Sequence, residues 1–171
     1  GAILDGTGSN ISGTKQPSQT TAVVWDGINW RVTWGELNTS YSARVNTAGV
    51  VLDPGSVAVA NVKTGPTAGN GAGSVHVMWT EFVTNDNDIA MASISPSHVA
   101  GPKQTPSAGA PQQTLPDIAT SGSGYMMVYR SATSTQGRVL AQPLDSTGNP
   151  LTAQPVELES GININGPGNP N

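Results

Sequence analysis

The chain has no cysteine among its 171 residues. Disulfides, thiol catalysis and thiolate metal sites are excluded with it. Charge is scarce as well: Asp, Glu, Lys and Arg make up 11% of the chain, against roughly 25% in an average soluble protein. The seven cations stand singly, as Lys15, Arg31, Arg44, Lys63, Lys103, Arg130 and Arg138. A nucleic-acid partner needs clustered cations to displace counterions, and an anionic membrane surface needs them to dock, so the sequence speaks against both. No apolar run approaches the ~20 residues of a membrane-spanning helix; the longest stops at Tyr125 to Tyr129. No stretch combines a helical period with caps. What is abundant is turn chemistry. The chain carries 21 Gly and 13 Pro, about a fifth of its length and below the roughly 25–30% that marks low-complexity disorder. That balance suits many short strands joined by many turns.

Self-similarity organises those strands. Three segments align without a gap: Thr21–Glu36 (TAVVWDGINWRVTWGE), Pro66–Glu81 (PTAGNGAGSVHVMWTE) and Pro116–Ser131 (PDIATSGSGYMMVYRS). Their first residues stand 45 and 50 residues apart. Each holds a short strand, a turn of Gly, Asn and Ser that tolerates positive φ, and a strand of period two. Trp30, Val32 and Trp34 share one face of that strand; Val75, Val77 and Trp79 repeat it, as do Tyr125, Met127 and Tyr129. Val32, Trp34, Val77, Trp79, Met127 and Tyr129 are therefore expected to be buried at equivalent places in successive sheets.

A second hairpin follows each first one. Ser42–Val45 runs through Asn46-Thr47-Ala48-Gly49 into Val50–Leu52, Ile89–Ile94 through a turn at Ser95 to Gly101, and Val139–Leu144 through Asp145–Gly148 to Leu151. Leu4 to Ile11 copies Leu144 to Leu151. The expected organisation is the second half of a preceding repeat over 1–15, repeats over 16–64, 65–114 and 115–160, and a tail or linker over 161–171. Four strands per unit at this spacing predict an all-β, antiparallel fold of β-propeller-like repeats, about three and a half blades, belonging to a larger assembly.

The pattern VVWDGINWRVTW…YSARVNTAGVVLDPGSVAV resembles a repeat of large secreted or surface proteins of bacteria. Residues 21–60 match best, and the remaining repeats match in layout. The resemblance implies a β-propeller or propeller-like solenoid and an extracellular or cell-surface location.

Candidate site residues are few. Trp25 is an aromatic that the repeat does not require, since Asn70 and Thr120 stand at its equivalent positions; it is a candidate for a glycan or protein ligand. Glu36 and Glu81 occupy equivalent positions and form a candidate carboxylate pair, although a repeat places such copies side by side without converging them. Asp86 and Asp88, within Asn85-Asp86-Asn87-Asp88, supply oxygen ligands of the kind Ca²⁺ takes, in an expected polar loop that lacks the Gly and distal Glu of an EF-hand. His76 falls in a strand and His98 in a turn, with no ligand or triad spacing. No catalytic constellation emerges and no cofactor is implied. The leading expectation is a non-catalytic extracellular scaffold or binding module. Its partners are a glycan or protein ligand, and other copies of itself or the remainder of a longer polypeptide. The alternatives are a fragment of a glycosidase-like propeller hydrolase with catalytic residues partly outside the chain, or a subunit of a surface filament or coat.

Overall fold

A computed structural model describes residues 9–13, 21–61, 67–71, 74–108, 112–120 and 123–163. They form three antiparallel four-stranded sheets and no helix. The first sheet holds β1 (Thr21–Trp25), β2 (Trp30–Glu36), β3 (Thr39–Val45) and β4 (Val57–Ala60). The second holds β5 (Thr67–Gly71), β6 (Ser74–Val83), β7 (Asp86–Ile94) and β8 (Gln104–Ser107). The third holds β9 (Gln112–Thr120), β10 (Tyr125–Ala132), β11 (Gln136–Leu144) and β12 (Val156–Asn163). In each sheet the strands lie in sequence order, as consecutive hairpins require. The Leu4–Gly8 copy of the second hairpin lies outside the described residues, as do residues 164–171 of the expected tail.

The sheets stack, and the repeat dictates how. Call the Trp34, Trp79, Tyr129 side of each sheet its front. The front of the second sheet packs on the back of the first: Trp79, Ala90 and Ala92 form a buried cluster against Val59 and Ala60 of β4. The front of the third sheet packs on the back of the second, where Met78, Ile89 and Met91 join Ile118, Tyr125, Met127, Tyr129 and Leu144. The first strands line up beside one another, β1 by β5 and β5 by β9, the arrangement of blades about a common side. The approach is close: a Cβ on Gly69 would lie 2.9 Å from Ile118 Cγ2.

Trp34, Val77, Trp79, Met127 and Tyr129 are buried, as the alternation predicts. Val32 is only half-buried and Trp30 is exposed. Both lie on the front of the first sheet. There residues 9–12 line a cavity of about 290 Å³ with Thr21, Val32 and Trp34, and no described sheet covers the rest.

The turns after β3, β7 and β11 are superimposable in their bonding. The first residue of each, Asn46, Ser95 or Asp145, accepts from the amide four residues on, at 2.9, 3.1 and 2.9 Å. The fourth residue donates its amide back to the carbonyl of the first and takes a left-handed backbone, with φ of 81° at Gly49, 65° at His98 and 92° at Gly148. Glycine occupies two of these positions because it has no Cβ to clash. His98 occupies the third.

Candidate functional site

The structure does not assemble the expected site residues. Trp25 pairs with Trp30 across the β1–β2 hairpin and meets it edge to face, with ring centroids 5.1 Å apart. Glu36 lies at the far end of β2, about 20 Å away by strand rise, beside the β2–β3 turn. Glu81 lies in the next sheet, at the end of β6, and its carboxylate accepts from Lys103 Nζ at 2.6 Å. Asp86 and Asp88 are not in a loop. The turn is confined to Thr84 and Asn85, both at positive φ, and β7 begins at Asp86. Asp86 accepts from the Asn87 amide at 2.8 Å and borders an open polar groove of about 510 Å³ with Thr84, Asn85, Gln112 and Thr133. Among the described residues no group of three or more His, Asp or Glu side chains could hold a metal ion.

The polar side chains that do converge are Asp26, Arg31, Arg44, Asp53 and His98, at the junction of the first two sheets. The β1–β2 turn folds because Asp26 Oδ1 accepts the amides of Ile28 and Asn29 at 2.8 and 2.7 Å. Its other oxygen accepts from Arg31 Nε at 2.6 Å. Arg31 projects from the back of β2 and is 1% exposed. Its Nη2 donates to the Ser95 and Pro96 carbonyls at 3.0 and 3.3 Å, and its Nη1 donates to His98 Nδ1. A guanidinium can only donate, so Nδ1 carries a lone pair and the proton sits on Nε2. Nε2 donates to the Ser42 carbonyl at 3.1 Å and lies 3.6 Å from Asp53 Oδ2. Asp53 in turn takes Arg44 in a fork, Nη2 to Oδ1 at 2.8 Å and Nε to Oδ2 at 2.9 Å, and accepts the Arg44 amide at 2.8 Å.

Electrostatics follow from this wiring. Burial works to raise the Asp26 carboxyl, but the amides of Asn29 and Ile28 and the Arg31 side chain overcome it and hold it below the ordinary range. The Arg44 hydrogen bonds hold Asp53 down and raise Arg44. Burial pushes His98 down; the Ser42 carbonyl and Asp53 pull it up, and Arg31 and Arg44 oppose them. His98 is thus kept neutral between two cations, as its lone-pair contact with Arg31 requires.

The second junction repeats the device in reduced form. His76, at the position equivalent to Arg31, reaches the turn of the following sheet and donates Nε2 to the Ser146 carbonyl at 3.3 Å. Its ring meets Tyr125 edge-on, with centroids 4.5 Å apart. Burial lowers its pKa, against the Ser146 carbonyl and Asp145.

Sequence reasoning missed this network. Arg31 and Arg44 read as isolated cations and His98 as a turn residue. One signal was available: His98 stands where the other two turns carry Gly49 and Gly148. A side chain held in the left-handed region costs on the order of 1–3 kcal/mol and persists where its surroundings demand it.

No protein-family model matches the chain, and no curated protein or solved structure matches it.

Proposed function

We propose that the chain is a non-catalytic extracellular scaffold or binding module built of β-propeller-like repeats. One observation carries this reading: the side chains best suited to chemistry are consumed in holding sheets together. Arg31 engages Asp26, His98 and two carbonyls, and His98 engages Arg31 and Ser42. Both are buried, so neither offers a substrate a free donor or base. Glu36 and Glu81 belong to different sheets. The extracellular placement rests on the resemblance of the repeat to those of secreted and surface proteins. A glycan or protein ligand would find polar, open ground in the groove beside Asp86 and aromatic ground at Trp25 and Trp30. Assaying the chain against glycoside, ester and peptide substrates tests the proposal, with no turnover expected. Turnover abolished by Glu36→Gln or Glu81→Gln would overturn it in favour of a hydrolase.

A further inference from the structure

The two junctions differ at the rim where the fourth strand of one sheet meets the front of the next. At the first junction that space is filled: Trp79, Ala90 and Ala92 pack on Val59 and Ala60 of β4. At the second, the repeat places Tyr129 at the position of Trp79, Ser131 at that of Glu81 and Gln142 at that of Ala92. Ser107 of β8, paired with Ile89, stands where Ala60 pairs with Ser40. Here the space stays open as a pocket of about 310 Å³, and the β11–β12 connection from Pro150 to Pro155 supplies one wall.

The lining is polar although the rest of this junction is apolar. Gln113, Ser131 and Gln142 line the pocket and are 6%, 3% and 4% exposed. Packing alone would not select amides and a hydroxyl there, because burying such groups costs free energy unless a partner meets them. The polar groups are also held in place. Tyr129 Oη accepts from Ser107 Oγ at 3.0 Å, which leaves the phenol proton to donate. Gln142 Nε2 donates to the Thr152 carbonyl and hydroxyl at 3.0 and 2.9 Å, so its Oε1 is the atom that can accept. The Ser131 hydroxyl can do both. Leu140 and the prolines add apolar wall. Among the described residues lining the pocket, none carries a charge.

We infer that this pocket binds one neutral sugar ring. A hexose brings hydroxyls that donate and accept at once, together with carbon–hydrogen faces for the apolar wall. An ion would find no countercharge. An extended peptide suits the groove beside Asp86 better, since that groove is larger and less enclosed. The volume stands at the lower end of the roughly 300–1,000 Å³ of small-molecule sites, which suits one ring. The inference rests on the binding-module reading and narrows it to one site and one class of ligand.

The experiment is titration of the isotope-labelled 171-residue chain with the methyl glycosides of glucose, galactose, mannose and N-acetylglucosamine, followed by amide NMR shifts. Saturable binding of at least one glycoside is expected, with a Kd of about 1 mM or tighter and the largest shifts at Ser107, Ser131, Gln142 and Thr152. Tyr129→Phe and Ser131→Ala each remove one hydroxyl at nearly constant volume, and each should weaken binding about 3- to 10-fold with far-ultraviolet circular dichroism unchanged. No saturable shift with any of the four glycosides would overturn the inference and leave the scaffold reading standing. So would binding that Trp25→Ala abolishes while Tyr129→Phe and Ser131→Ala retain it in full, because the sugar site then lies on the first sheet. Shifts at the pocket with N-acetyl-triglycine amide and with none of the glycosides would overturn it in favour of a protein ligand. Hydrolysis of a bound glycoside, visible in the same spectra as free methanol, would uphold the pocket and overturn the non-catalytic reading.

Discussion

The two sheet junctions share one geometry and fill it in opposite ways. Between the second and third sheets the filling is apolar: Met78, Ile89, Met91, Tyr125, Met127 and Leu144, each at most 1% exposed. Between the first and second, the back of the first sheet brings Arg31, Thr33, Ser40 and Ser42, all buried. Volume is conserved by exchange across the gap. At the apolar junction Met91 fills the space and Gly148 yields it, since a Cβ there would lie 1.9 Å from Met91 Cε. At the polar junction the Met91 position is Ser42, and His98 stands in the Gly148 position and fills the space from the other side. A repeat can thus keep its stacking while changing which partner is large, provided that the turn residue tolerates a left-handed backbone. The polar filling is less complete. The hydroxyls of Thr33, Ser40 and Ser42 and the indole N–H of Trp79 are buried without a hydrogen-bond partner among the described residues. Groups of that kind call for ordered water.

The largest effect separating the junctions is expected from truncating their equivalent anchors. Arg31→Ala leaves Asp26 buried without its cation and His98 without a donor, a loss of about 3–5 kcal/mol. Adding Asp26→Asn to it should recover part of that loss. Met78→Ala in the apolar junction costs about 2–5 kcal/mol through lost burial and a cavity, and no charge substitution rescues it. Urea unfolding of the three variants checks both statements.

A smaller effect is expected from Gly148→Ala. The new methyl meets Met91 and must adopt φ near 92°, for a cost of about 1–3 kcal/mol. Gly49→Ala carries the backbone strain without the steric contact, because nothing lies within 4 Å of its Cβ position. The difference between their unfolding midpoints isolates the junction from the turn.

The smallest effect is the dependence on pH. His98 and His76 both titrate below their ordinary value in the folded chain. As pH falls through about 6.5, unfolded imidazoles take up protons that the buried ones refuse. Stability is therefore full above about pH 6.5 and declines as pH drops toward the lower folded values. Asp26 and Asp53, both held down, add a second decline below the ordinary carboxylate value of 3.8. Unfolding free energies measured between pH 7 and 5 should show the first slope, and His98→Gly should reduce it to the share of His76.

The strands and their faces were legible in the sequence because period-two alternation and Gly-Asn-Ser turns are local. Trp34, Trp79 and Tyr129 mark the front of each sheet without reference to any partner. The functional-site candidates fared differently. Trp25 stands out as an aromatic that the repeat does not require, Glu36 and Glu81 as copies at one repeat position and Asp86 as a carboxylate in a polar run. None of these signals reveals that the length of β2 separates Trp25 from Glu36 or that Lys103 takes up Glu81. The network was hidden for a further reason. Alternation shows that two faces of a strand differ, but not whether the polar one meets water or the next sheet. Arg31 and its partner His98 are brought together from different repeats by the stacking itself.

Ser42 and His98 exchange volume across one junction as Met91 and Gly148 do across the other. The double-mutant cycle of Ser42→Met and His98→Gly tests it most directly. Ser42→Met alone crowds the His98 ring and His98→Gly alone empties a buried space, each costing about 1–3 kcal/mol. Together they recreate the pattern of the apolar junction, so the double variant should be more stable than the sum of the singles predicts, by about 1 kcal/mol or more. Additivity within about 0.5 kcal/mol would contradict the claim.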